Sequence, residues 1–263
     1  MIINALIENN DLLDELLEIP EVSGIYLSGE HNNPTKLKAH IEKCHKAGKA
    51  CYYAFPYIFR DKALEYYERY QEELKDAGCD GWLIRSLDEA GYVMEKKLPG
   101  LRIFDAGMYS WNKEAVTQMK LLGADILTAP YELNHRELKE RGLEDTELVV
   151  YGHLPVMISA QCIQKTTKGC RPDAQHAYKL TQIKDRKNAG FLAENRCRFC
   201  YNVIYNSVPL WILDRTDSFP ERIRFHFPVE RKGEPSRIIR DFLKGKITPP
   251  ENYTRGHFAR GVE

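Results

Sequence analysis

Four cysteines fall after residue 160: Cys162, Cys170, Cys197 and Cys200. Their spacing is C-x7-C, then 26 residues, then C-x2-C. A C-x2-C turn folds its backbone so that two thiolates reach one centre, with nearby N–H groups stabilising the sulfurs. Four thiolates suit Zn²⁺ or an iron–sulfur cluster equally by ligand count. The plain alternative is four unconnected buried thiols, because free cysteine is a common core residue. The chain holds seven cysteines, an odd number, and its first residues lack the basic region of an export signal. Both features fit a reducing, cytoplasmic setting and argue against a disulfide frame. Cys44, Cys51 and Cys79 lie in barrel-type helices, strands or their junctions and read as core.

The elements that must carry these residues follow from periodicity. Short β-branched or aromatic runs alternate with longer helical ones over the first 152 residues. The expected strands are Ile2–Ile7, Gly24–Ser28, Ala50–Phe55, Trp82–Arg85, Arg102–Asp105, Asp125–Thr128 and Glu147–Tyr151, with an eighth at Arg222–Phe227. Helices are expected over Leu37–Ala47, Ala63–Ala77, Lys113–Leu122 and Ser236–Leu243, the last with Ser236 as its N-cap. Repeated strand–helix–strand units imply parallel pairing, since parallel strands need a long crossover. The phrases Ala77-Gly78-Cys79-Asp80-Gly81 and Leu122-Gly123-Ala124-Asp125 punctuate helix ends in the same way. The expectation is α/β: a TIM-like (β/α)8 barrel with a cysteine-rich, metal-binding excursion between the seventh and eighth strands. No G-x-G-x-x-G follows a strand, so a dinucleotide fold is unsupported. One unit over 1–263 is expected, with seven β/α units in 1–152, the cysteine segment in 153–213 and the last strand, helix and tail in 214–263. Val208–Leu213 reads as a ninth short strand or a buried extended piece.

In a barrel the active face lies where the strands finish. That gathers Arg85, Asp105, Tyr109, Asn112, Tyr131, Glu132 and His153 at one mouth, with Tyr57 and Arg60 on the same side. Arg85, Asp105, Tyr109, Asn112 and Tyr131 are candidate substrate contacts. Glu132 is a candidate acid or base, and His153 a candidate proton shuttle near neutral pH. Each also has a bland reading, because such residues cap helices and tie loops. There is no G-x-S-x-G, and the remaining histidines show no H-E-x-x-H or H-x-x-E-H spacing. Cys162 with His153 could form a thiol peptidase pair, a role closed to Cys162 if it ligates metal.

The whole chain has 43% hydrophobic and 29% charged residues and no net charge, as expected of a globular protein. No apolar run reaches the ~18 residues that cross a bilayer. The balance hides an asymmetry: residues 161–263 carry 20 Lys+Arg against 11 Asp+Glu, so the rest is acidic by the same margin. A basic final third fits an anionic partner such as RNA, or simply a solvated face. In the tail, Arg255, His257 and Arg260 suit anion binding or pinning of the terminus, and pinning is favoured.

The stretch Glu147-Leu148-Val149-Val150-Tyr151-Gly152, continuing from His153 to Cys162, resembles the signature of peptidase family U32, the collagenase-like peptidases. Gly24-Ile25-Tyr26-Leu27-Ser28-Gly29 is similar to the family's early strand, and Tyr131-Glu132-Leu133 to a later motif. Thr254–Gly261 is similar to family C-termini. The likeness covers most of the chain and is most specific over Gly152–Cys162. The signature's second cysteine falls on Cys162, but its first falls on Pro155, which ligates nothing. The ligand set is therefore expected to be rebuilt from Cys162, Cys170, Cys197 and Cys200. The resemblance implies a barrel with a cysteine-bound centre. It favours a [4Fe–4S] cluster, with Zn²⁺ the close rival, and it ranks His153 first among the mouth residues and Glu132 next. Some members are called peptidases, and others take part in oxygen-independent hydroxylation of RNA bases or quinone precursors. The expected partners are thus RNA, a small molecule or a peptide, with no membrane. The resemblance also leaves open that the chain is a portion of a larger protein or complex.

Overall fold

The computed structural model describes residues 1–170 and 180–260. In chain order the elements are β1 (Ile2–Ile7), α1 (Leu13–Leu17), β2 (Val22–Ser28), α2 (Pro34–Lys46), β3 (Ala50–Ala54), α3 (Asp61–Arg69), α4 (Gln71–Asp76), β4 (Gly81–Ile84), α5 (Leu87–Glu95), β5 (Leu101–Phe104), α6 (Lys113–Leu121), β6 (Ile126–Thr128), α7 (His135–Arg141) and β7 (Thr146–Gly152). Then come β8 (Pro155–Ser159), α8 (Ile163–Lys168), β9 (Leu180–Lys184), β10 (Gly190–Arg196), β11 (Tyr201–Tyr205), β12 (Leu210–Trp211), β13 (Arg222–Phe227) and α9 (Glu234–Leu243). Strands β1 to β7 run in parallel succession. β13 enters between β7 and β1, parallel to both, and closes an eight-stranded barrel.

Side-chain alternation sorts each barrel strand into a face toward the helices and a face toward the lumen. On β1, Ile3, Ala5 and Ile7 join the large core under the helices, while Leu6 joins Tyr26, Tyr52, Ala54, Leu83, Ile103 and Ile126 in a second cluster. Gly24 sits on this inner face because a Cβ there would come within 2.7 Å of the Tyr52 ring. Outside the barrel, Tyr53, Phe55, Phe59, Tyr67, Trp82 and Tyr92 pack ring against ring under α3 and α5.

The excursion is more regular than its turn-rich sequence suggests. It holds a four-stranded antiparallel sheet in the order β8-β11-β10-β9. Beyond it, β12 pairs antiparallel with the last two residues of β7, Tyr151 and Gly152, above the short β6. The segment Val208–Leu213 thus holds a two-residue strand. At Gly152 the chain leaves the barrel with φ 143°, and a Cβ there would collide with the His226 carbonyl.

Two local expectations are corrected. The helix expected over Ala63–Ala77 is two helices, α3 and α4, broken at Tyr70 where φ is −111° and ψ 23°. Ser236 does not cap α9. The cap position is Gly233, in the left-handed region, and the carboxylate of Glu15 on α1 accepts the N–H groups of Gly233 and Ser236 instead. A tertiary acceptor at a helix N-terminus has replaced the local one.

Candidate functional site

A buried polar lattice runs from the middle of the barrel lumen to the C-terminal ends of the strands. Arg224, on the inner face of β13, donates to Asp105 Oδ1 at 2.6 Å and lies 3.3 Å from Glu147 Oε2. Arg85, just past β4, donates to Asp105 Oδ2 at 3.1 Å and to the Phe55 carbonyl at 2.5 Å. Its guanidinium stacks 3.8 Å from the Tyr57 ring centroid. Asn4 and the Tyr26 hydroxyl complete the shell of Glu147 at 2.7 and 3.0 Å. Burial alone would raise the Asp105 pKa, but the two guanidiniums hold it well below the usual carboxylate range. Burial pushes the Tyr57 hydroxyl up to about 12, against the pull of Arg85. The Tyr131 hydroxyl is pushed up further, by burial and then by Asp105.

The antiparallel sheet adds the next layer. Arg196, at the end of β10 and fully buried, lies 2.9 Å from Glu8 beyond β1 and 2.9 Å from Glu194. It also donates to Ser28 Oγ at 3.2 Å. Tyr201 on β11 takes the Tyr57 N–H at 3.0 Å and gives its own proton to Glu30. Arg198 reaches the Gly29 carbonyl at 3.2 Å and the Tyr66 hydroxyl at 2.8 Å. The small sheet is therefore fastened over the barrel mouth by charge and hydrogen bonds, chiefly to the loops after β1, β2 and β3.

The cysteines sit at the edge of this lid. Arg196 and Tyr201 are paired across β10 and β11, so Cys197-Arg198-Phe199-Cys200 is the four-residue hairpin loop between them. Cys200 takes the left-handed conformation at φ 61°. Cys162 caps α8, its sulfur accepting the Lys165 N–H at 3.4 Å, and Lys62 Nζ lies 3.5 Å from the Cys200 sulfur. Burial raises the Cys197 thiol pKa, and Cys162, Cys170 and Cys200 raise it further. If these thiols held a metal as thiolates, the Lys62 ammonium and the Lys165 N–H would donate to two of the sulfurs. A cleft of about 220 Å³ opens beside them, lined among others by Arg60, Lys62, Phe199, Cys200 and Tyr201. Cys44, Cys51 and Cys79 are buried in the barrel packing.

The other expected residues are dispersed. His153 is half-buried after β7. Its Nδ1 is engaged with the Asn206 carbonyl at 2.7 Å, and burial lowers its pKa. Glu132 is half-buried in the β6–α7 connection. Asn112 caps α6 through the Ala115 N–H at 2.8 Å, and Tyr109 is exposed beside Trp111. Arg255 grips Asp214 with both arms of its fork, at 2.6 and 2.8 Å, which pins the tail. His153 turns to Asn206 and Cys162 to Lys165, so the two do not form a pair among the described residues. The lattice members missing from the sequence reading are Glu8, Glu147, Glu194, Arg196, Arg224 and His226. A signal existed for two of them. Arg222-Ile223-Arg224-Phe225-His226-Phe227 alternates charge with bulk, and in a strand covered on both faces the charged side must face the lumen.

A closed parallel barrel whose polar mouth is covered by a small antiparallel sheet is a TIM-barrel-like fold. The chain belongs to peptidase family U32, whose model matches residues 28–209. Among solved structures, the U32 peptidase Mk0906 superposes with a TM-score of 0.52 at 12% identity, covering 88% of this chain and 94% of that one. An HpcH/HpaI aldolase from Desulfitobacterium hafniense DCB-2 gives 0.42 at 10% identity, covering 95% of each chain. A type I 3-dehydroquinate dehydratase from Clostridium difficile gives 0.39 at 14% identity, covering 58% of this chain and 74% of that one. No curated protein matches in sequence. Among the described residues no helix is long and apolar enough to cross a membrane.

Proposed function

We propose that this U32 protein uses Cys162, Cys170, Cys197 and Cys200 to hold a [4Fe–4S] cluster, and that it supports oxygen-independent hydroxylation of an RNA base or small aromatic metabolite. The observation that carries this reading is the placement of Cys197 and Cys200 in one four-residue hairpin loop at the lid edge, with Cys200 lining a cleft beside it. The rival is one structural Zn²⁺. Its Zn–S bonds of ~2.3 Å put neighbouring sulfurs ~3.8 Å apart. Zinc would take the same four thiolates, so metal content and not ligand type separates the two. When bound, a cluster with four thiolate ligands would supply one-electron redox chemistry. The chain's own part is to seat the ring. The cleft beside Cys200 has about 220 Å³, while a cavity of roughly 150 Å³ takes benzene. Phe199 and Tyr201 offer aromatic walls, and Arg60 and Lys62 offer cations for an anionic substituent or an RNA phosphate.

A peptidase reading rests on the family name. Against it, the Cys162 sulfur already accepts the Lys165 N–H and the His153 ring nitrogen is turned to Asn206. The test is anaerobic purification with elemental analysis. Brown protein with about four iron and four sulfide per chain is expected, both lost in Cys197→Ser. Colourless protein with one zinc per chain would overturn the proposal in favour of a zinc-braced binding module. Cleavage of unfolded or collagen-like peptides by such a colourless preparation would favour the peptidase.

A further inference from the structure

Four residues from distant parts of the chain meet beneath the lid: Glu8 after β1, His31 after β2, Glu194 on β10 and His226 on β13. Carboxylate oxygens of Glu8 and Glu194 and a ring nitrogen of His31 all lie within 4.8 Å of one another. His31 Nε2 is 2.5 Å from Glu194 Oε1, and His226 Nε2 is 3.5 Å from Glu8 Oε1. Each carboxylate gives its other oxygen, Oε2, to Arg196. The Oε1 atoms are thereby turned toward the two imidazoles. From these contacts we infer that Glu8, Glu194, His31 and His226 form a site for a divalent transition-metal ion of the Zn²⁺, Mn²⁺ and Fe²⁺ class, separate from the thiols.

Two further observations point to a ligand. Glu8 and His226 are buried to 0% and 2% exposure, yet their side chains' polar neighbours among the described residues are ionic ones of poor hydrogen-bond geometry: Arg196 at 2.9 Å from Glu8 Oε2, and the 3.5 Å approach of His226 Nε2 to Glu8 Oε1. Buried polar atoms normally make a hydrogen bond, so an ion at this point would satisfy the groups left short. The charges agree. Asp105 and Glu147 are matched by Arg85 and Arg224. Glu8 and Glu194 share the single positive charge of Arg196, and a third buried carboxyl, Glu30, lies near the same guanidinium with its pKa raised by burial, so carboxyls outnumber the arginine here. A cation answers the deficit, and a mixed imidazole–carboxylate set suits borderline metals more than Mg²⁺ or Ca²⁺. His31, whose side chain is 10% exposed, marks the way in. The bland account is a protonated His31 paired with Glu194.

Mn²⁺ separates the two accounts, because thiolates bind it poorly. Protein passed over a chelating resin is titrated with Mn²⁺ while the electron paramagnetic resonance signal of free Mn²⁺ is followed. One bound ion per chain is expected, retained in Cys197→Ser/Cys200→Ser and displaced by Zn²⁺ in that variant. His31→Ala and Glu8→Gln should each weaken binding by more than the roughly 10–100-fold that loss of an outer-shell partner costs. Glu8 is tied to Arg196, so circular dichroism accompanies both variants and His31→Ala, the less buried change, decides if Glu8→Gln unfolds. Wild-type protein that binds no Mn²⁺, or binding untouched by His31→Ala, overturns the site. The iron and sulfide measurement is unaffected by either result, so this proposal and the cluster stand or fall separately.

Discussion

Single carboxyls in this barrel have departed far from their ordinary behaviour, and Glu89 shows the consequence. It sits in the first turn of α5, fully buried, with Oε2 accepting the Arg85 N–H at 2.5 Å. Burial raises its pKa from 4.5 to about 8, against the opposing pull of that N–H and of the Arg85 charge. Burial likewise raises Glu230, beneath Tyr151, to about 7. A raised carboxyl binds its proton more tightly folded than unfolded, so its contribution is complete below pH 4.5. That contribution is lost as pH rises through the folded value. Stability should therefore fall between pH 4.5 and 8, by at most ~1.4 kcal/mol per pH unit for each linked proton. The isostere Glu89→Gln should flatten the segment between pH 7 and 8, where Glu230 has finished titrating. Urea midpoints across that range check it, and an unchanged slope would refute the assignment. None of this was legible beforehand, because burial of one carboxyl depends on which residues of other elements close over it.

At the scale of elements the sequence was legible wherever a period repeated. All eight barrel strands were expected within a few residues of where they lie: most are short apolar or aromatic runs, and Arg222–Phe227 alternates charge with bulk between prolines. Most of the antiparallel sheet escaped: only a short strand ahead of the C-x2-C turn, Phe191–Ala193, is legible, and it lies inside β10. The second half of β10 buries Glu194, Asn195 and Arg196, whose partners Glu8 and Ser28 lie on the barrel and carry no local pattern. The C-x2-C spacing marks the thiols as candidates, while nothing in the sequence marks the lattice around Arg196. Arg196 holds the small sheet to the barrel. Replacing it by methionine leaves Glu8 and Glu194 buried without their shared guanidinium, and loss of one partner from such a pair costs about 3–5 kcal/mol. Arg196→Met should lower the denaturation midpoint accordingly. A loss under about 1 kcal/mol would mean that water replaces the guanidinium and the lid is held elsewhere.

For the whole molecule, closure depends on a strand that comes late. β1 is flanked by β2, its neighbour in the chain, and by β13, which begins at Arg222. A chain ending at Asp214 would keep seven barrel strands but leave the facing edges of β1 and β7 unpaired along most of their length. It would also lack Arg224, leaving Asp105 and Glu147 without their shared cation. Such a chain should aggregate at concentrations where the full chain stays dispersed, which size-exclusion chromatography would register. A newly made chain meets the same problem for a time. About 215 residues separate Ile7 at the end of β1 from Arg222 at the start of β13, so at about 5–20 residues per second the first strand waits roughly ten seconds or more with one edge open. An edge left bare that long can pair with a neighbouring nascent chain, so crowding of ribosomes on one message favours misassembly.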